Sequence, residues 1–239
     1  MTATLDTTIR DIVATDYRAA EVFQRYGIDF CCGGDRSVAD ACRAKNIEPL
    51  TVLNDLSALA NTSGAGTPRF NSWELPALVA YIVSNHHDYV RQAIPTLLAH
   101  TKKVAAVHGE HHPEMVEVAG LFQGVANEMT SHMQKEELML FPFIVALAEA
   151  AKAGRPAPRP PFGTVANPIR MMEMEHESAG GAMARINELT EGYDPPEDAC
   201  TTFRVCLQEL DAFERDLHAH VHLENNLLFP KAKELEERG

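Results

Sequence analysis

Two eleven-residue segments constrain this chain more than anything else in it: HMQKEELMLFP at 132–142 and HVHLENNLLFP at 220–230. They share the frame H-x-x-x-E-x-x-x-L-F-P and match at every defined position. Each copy is preceded by a histidine with an acidic neighbour. His87-Asp88 lies 45 residues before His132, and His176-Glu177 lies 44 before His220. The chain therefore contains two related helical hairpins, each offering one His and then a His–Glu pair. On a helix, residues i and i+4 share a face with Cβ atoms about 5–6 Å apart. One H-x-x-x-E usually means a surface ion pair. Two in register, with matched upstream histidines, point to metal ligation instead.

Four helices whose polar faces converge form an up-down bundle, the architecture that builds dinuclear carboxylate sites from inward-facing side chains. The expected ligands are His87, His132, Glu136, His176, His220 and Glu224. Two histidines per ion and two glutamates bridging both ions leave room for an oxo or hydroxo bridge. Imidazole with carboxylate suits iron, and ligand type alone leaves zinc, copper and manganese open. His218 and His222 sit about 200° around the helix from His220, and His86 is a weak competitor of His87. Glu175 and Glu177 flank His176 and could orient it or relay protons, or could be solvated helix charges. His108, His111 and His112 fall before the second helix, where a solvated loop competes with a secondary metal site. The LFP tails read as core and helix-kink features.

The rest of the chain fits an all-α reading. Four long helices are expected. The first is capped by Ser72 and runs to about Val104; the second opens at Pro113 and runs to about Lys152. The third is capped at Asn167-Pro168 and runs to about Thr190; the fourth is capped at Asp194-Pro195 and runs to about Glu237. GRPAPRPPFG at 154–163 and EGYDPP at 191–196 are loops. Residues 1–60 form a small helical unit, with a helix over Tyr17–Tyr26 closed by Gly27, another capped by Ser37 with Asp40, and a third opened by Pro49. Residues 61–72 have a linker composition, and 73–239 hold the bundle.

A formal net charge of -13 argues against a nucleic-acid partner and an anionic membrane surface. No apolar run approaches a membrane span, no signal peptide is visible, and a soluble protein is expected. Five cysteines without C-x-x-C spacing exclude a disulfide framework and favour a reducing compartment. Cys31 and Cys32 are adjacent, with Cα atoms about 3.8 Å apart, shorter than a disulfide prefers. They can be reactive or exchanging thiols, soft metal ligands, or buried small residues. Cys42, Cys200 and Cys206 lie on helical patterns and are expected in the core.

YGIDFCCGG (26–34), HHDYVRQAIP (86–95), SHMQKEELMLFP (131–142), MEHESAG (174–180) and HVHLENNLLFP (220–230) resemble the repair-of-iron-centres family, di-iron proteins of the ScdA/YtfE type. The likeness runs through nearly the whole chain in order. It implies an N-terminal ScdA-type domain with the Cys31-Cys32 motif joined to a hemerythrin-like four-helix bundle. Two non-haem Fe ions would sit on the six residues above, with Glu136 and Glu224 as bridges. The resemblance further implies a cytoplasmic protein that restores iron–sulfur clusters damaged by nitric oxide or peroxide, with the damaged cluster proteins as partners. Nitric-oxide reduction and hemerythrin-like O2 or NO binding are the competing activities. A separate cysteine-bearing unit disfavours a plain gas carrier, and a homodimer is compatible with each activity.

Overall fold

The computed structural model describes residues 3–60 and 69–238. Among these residues no strand forms, and most of them lie in helices. The N-terminal unit holds α1 (Ile9–Thr15), α2 (Ala19–Arg25), α3 (Val38–Ala44) and α4 (Pro49–Ala60). Ser37 accepts a hydrogen bond from the Asp40 amide at 3.1 Å, as its spacing predicts. Gly27 closes α2 in the left-handed conformation, φ +61. Helix α1 escaped the sequence reading, although Thr8-x-x-Asp11 is the same capping pattern. The starts of α1 and α3 are zipped together by Ile9 N–H donating to Arg36 O and Val38 N–H to Thr7 O.

The bundle consists of α5 (Leu75–Tyr81), α6 (Asp88–His108), α7 (Glu114–Lys135), α8 (Phe141–Lys152), α9 (Ala166–Leu189), α10 (Thr201–Leu223) and α11 (Phe229–Arg238). Helix α6 packs on α7 and α10, and α9 closes the ring against both. Three joins are wide π-turns: Ile82–His87 between α5 and α6, Glu136–Leu140 between α7 and α8, and Glu224–Leu228 between α10 and α11. The last two precede Phe141-Pro142 and Phe229-Pro230. Proline has no amide proton and its ring crowds the preceding turn. A π-turn accommodates both, so the expected kink takes this form.

Several boundaries differ from expectation. Of the expected linker, residues 61–68 lie outside the described residues. Phe70–Ser72 form a 3-10 turn with Phe70 buried against Trp73 and Tyr81. Glu74, not Ser72, stands at the cap of the first long helix. Val165 caps the third, leaving Pro168 inside its first turn. The fourth begins at Thr201 rather than after Asp194. Glu191, Gly192 and Tyr193 all take positive φ and turn the chain sharply, and the Arg204 guanidinium donates to the carbonyls of Pro196, Glu197 and Ala199, tying the loop down. Cys200 consequently caps the helix and is exposed, against the expectation of a core position; Cys42 and Cys206 are buried.

Two apolar clusters fill the bundle. One contains Leu97, Phe122, Met183, Phe203 and Phe213 and continues into the N-terminal unit through Phe23, Phe30 and Cys31. The other contains Leu78, Phe141, Ile144, Ile169 and Phe229. The expected ligands lie where the π-turns meet α7, α9 and α10, and all six are fully buried. Burying polar groups at this density costs several kcal/mol unless each finds a partner, which marks the layer as a candidate site.

Candidate metal centre

The six side chains form two groups that share both glutamates. His87, Glu136, His220 and Glu224 make one, and His132, Glu136, His176 and Glu224 the other, each with ligand atoms within 4.8 Å of one another. His87 Nε2 faces His220 Nε2 at 3.2 Å, and His132 Nε2 faces His176 Nε2 at 3.0 Å. Glu224 spans the groups, Oε1 lying 2.9 Å from His220 and Oε2 3.0 Å from His176. Glu136 Oε2 lies 3.2 Å from His132 and 3.4 Å from His87.

The residues fit metal ions on three counts. Glu136 Oε1 and Oε2 and Glu224 Oε2 are buried without a hydrogen bond, despite the nearby imidazoles. Facing Nε2 atoms cannot both satisfy their lone pairs with each other, but each pair can bind one cation placed between them. The donor set, neutral imidazole plus carboxylate, is that of first-row transition metals.

Protons compete with such ions. Burial pulls His87 down, but Glu136 and Glu224 outweigh it and push it up to about 10. Burial likewise opposes a rise at His132, which Glu136 carries to about 9. Glu224 is held well below the usual carboxylate range because His220 and His176 outweigh its burial. His87 and His132 thus hold protons that metal entry expels, while burial keeps His220 towards its neutral form.

Outside the ring of ligands, the repeat reveals a further correspondence. The residue after each shared glutamate reaches the imidazole contributed by the preceding helix. Glu137 Oε1 lies 2.6 Å from His87 Nδ1, and Asn225 Oδ1 lies 2.9 Å from His176 Nδ1. Such partners fix the ring and the tautomer that presents Nε2 inward. Sequence reasoning missed both, yet the signal was a polar residue at the same position of each copy. Glu175, expected near His176, instead pairs with His132 Nδ1 at 3.0 Å and with Lys135; Arg91 likewise holds Glu137.

The remaining histidines are elsewhere. His86 pairs with Asp216 at 2.9 Å and stacks on His220. His108 ends α6 and faces Cys200 at 3.2 Å, while His112 bonds Asp198 and Glu114. Among the described residues these do not converge into a metal-suited group. Cys31 and Cys32 do, with Asp29.

Comparison with known proteins identifies the family of the bundle. Residues 78–232 match the family profile described as the hemerythrin HHE cation binding domain. The chain belongs to that family. Residues 5–60 match the ScdA N-terminal family, described as a domain of unknown function (DUF542). The chain is 35% identical over 231 residues to the iron-sulfur cluster repair protein ScdA of Staphylococcus epidermidis, covering 94% of this chain and 98% of that one. It is 31% identical over 228 residues to ScdA of Staphylococcus haemolyticus, covering 95% and 98%. It is 34% identical over 215 residues to the iron-sulfur cluster repair protein YtfE of Yersinia pestis, covering 90% and 91%. Among the described residues no helix is long and apolar enough to cross a membrane.

Proposed function

We propose that this protein holds two iron ions and serves the repair of iron–sulfur clusters damaged by nitric oxide or oxidants, supplying iron or electrons. His87 and His220 would hold one ion and His132 and His176 the other, with Glu136 and Glu224 shared between them. The observation that carries this reading is the sharing: each buried glutamate faces imidazoles from both groups. The relatives named above are repair proteins and are matched over nearly their full length, which favours the same role here. Free thiols and the absence of any disulfide among the described cysteines suit a reducing cytoplasm. Residues 1–60 act as a separate partner-facing unit, joined through 61–72 to the metal-binding 73–239.

Iron bound here supplies one-electron chemistry and a store of ferrous ion. The chain's own residues set how tightly it is kept. Glu137, Glu175 and Asn225 orient three of the four imidazoles, while His220 Nδ1 is buried without a hydrogen-bond partner. Only two carboxylates neutralise two cations, so ferric charge is less compensated than in carboxylate-rich sites, and the reduced pair is favoured. The test is anaerobic iron quantification before and after mixing with a cluster-depleted apo-protein, with and without nitric oxide. Iron leaving the reduced protein for the acceptor, faster than from the oxidised form, is the expected result. Slow release from both states, with nitric oxide consumed instead, would refute iron supply.

A further inference from the structure

The Cys31-Cys32 motif has a geometry that the di-iron pocket does not use. Asp29 sits beneath it and accepts hydrogen bonds from the Cys31 amide at 2.9 Å, the Cys32 amide at 3.0 Å and the Gly33 amide at 2.9 Å. The same carboxylate lies 3.2 Å from Cys31 Sγ, and the two sulfurs are 4.0 Å apart. A Cβ on Gly33 would come within 3.3 Å of Asp29 Oδ2, so glycine is what lets the chain fold this tightly around the carboxylate. A tetrahedral ion with metal–sulfur bonds of about 2.3 Å and metal–oxygen bonds of about 2.1 Å separates two sulfurs by about 3.8 Å and sulfur from oxygen by about 3.6 Å. The observed spacings lie within about 0.4 Å of that geometry, and one ligand atom from each residue falls within 4.8 Å of the others.

The charge balance points the same way. Two thiols and a carboxylate crowd together, and the cysteine neighbour, burial and Asp29 hold the Cys31 thiol well above its ordinary range. Arg10 passes the loop at Gly34 but is paired with Asp35 at 2.6 Å. His218 packs its ring edge-on against Phe30 at 5.9 Å, behind the loop. The loop is also anchored to the di-iron half of the molecule. The Asn226 amide donates to the carbonyls of Phe30 and Cys31 from the π-turn that carries Glu224.

We propose that Asp29, Cys31 and Cys32 form a second metal site, an open three-ligand site for a thiophilic divalent cation. Its cargo is ferrous iron in transit, an assignment that rests on the iron-supply reading, whereas the site itself does not. Binding replaces the Cys31 S–H···O hydrogen bond by metal bonds and releases both thiol protons. Cys32 is half-buried and Asp29 exposed, so the ion faces solvent on one side. Three protein ligands with a fourth position open to water suit exchange rather than storage.

The test uses the full-length protein with its bundle already loaded with iron, kept anaerobic and titrated with Co(II). The bundle ligands are nitrogen and oxygen only, so a thiolate-to-cobalt charge-transfer band in the near ultraviolet reports the new site alone. The expected result is one further equivalent bound with that band. Cys31→Ser and Cys32→Ser should each abolish it, and Asp29→Asn should weaken it about tenfold or more, all with bundle iron unchanged. If Cys31→Ser does not fold, the half-buried Cys32→Ser decides alone. No band in the parent protein, a band surviving Cys32→Ser, or a band lost instead in Cys200→Ser overturns the proposal. A bundle carrying fewer than two irons refutes the two-iron reading separately, because the charge-transfer band does not depend on it.

Discussion

Asn226→Ala should cut a buried polar tie between the N-terminal unit and the bundle. The amide donates to Phe30 O at 3.1 Å and Cys31 O at 3.2 Å and lies 3.0 Å from His222 Nδ1. Asn226 is 8% exposed, so water cannot simply replace it. Losing a buried donor leaves each acceptor at a cost of about 1–3 kcal/mol, and three acceptors together should cost about 3–5 kcal/mol, since the two N–H groups are shared among them. In a chain of this size a loss of 1 kcal/mol lowers the melting temperature by about 2–4 °C, which makes the expected drop about 6–20 °C. Asn226→Asp should be at least as damaging, because a carboxylate would then face three acceptors. The assay is thermal unfolding of the metal-free protein together with amide exchange at residues 30–34, which should accelerate in both variants. An Asn226→Asp protein that melts within a degree or two of the parent, or unchanged exchange in that loop, would refute the reasoning.

Glu136→Leu and Glu224→Leu should both prevent full two-metal loading, measured as metal per chain, with Glu224→Leu the worse because Glu224 gives a separate oxygen to each group. Glu137→Ala and Asn225→Ala should leave the pocket formed but lower metal affinity about 10–100-fold in a chelator competition, since each releases an imidazole that it orients. Burial holds His222 down to about 4, so the unfolded chain binds its proton first as pH falls. Its contribution is complete above about pH 6.5 and is lost toward pH 4, worth up to about 3 kcal/mol; His222→Phe should flatten that acid limb in urea unfolding of the metal-free protein. Residues 69–239 alone should still load metal, because every proposed bundle ligand lies within them, while exposing the surface that Phe30 and Cys31 cover; a shortened chain without metal would move the site elsewhere.

The amino-acid sequence by itself determined what local spacing encodes. Helix periodicity placed His132 with Glu136 and His220 with Glu224 on common faces, and repetition separated that pattern from a surface ion pair. The Ser37 cap and the Gly27 stop needed only backbone chemistry, and they stand as read. Boundaries governed by distant partners did not. The start of α10 depends on Arg204 reaching back to three carbonyls, so Asp194-Pro195 looked like a cap and was not one. The tertiary structure alone decided which group backs which imidazole, because Glu175 neighbours His176 in sequence yet meets His132 across the helix interface. It also decided where the repeat stops being symmetric. Leu138 and Asn226 occupy the same position in the two copies, but Leu138 is 77% exposed while Asn226 is buried beneath the cysteine loop. Equivalent positions in a repeat share a local geometry, and only the packing of the N-terminal unit on one copy gives them different surroundings.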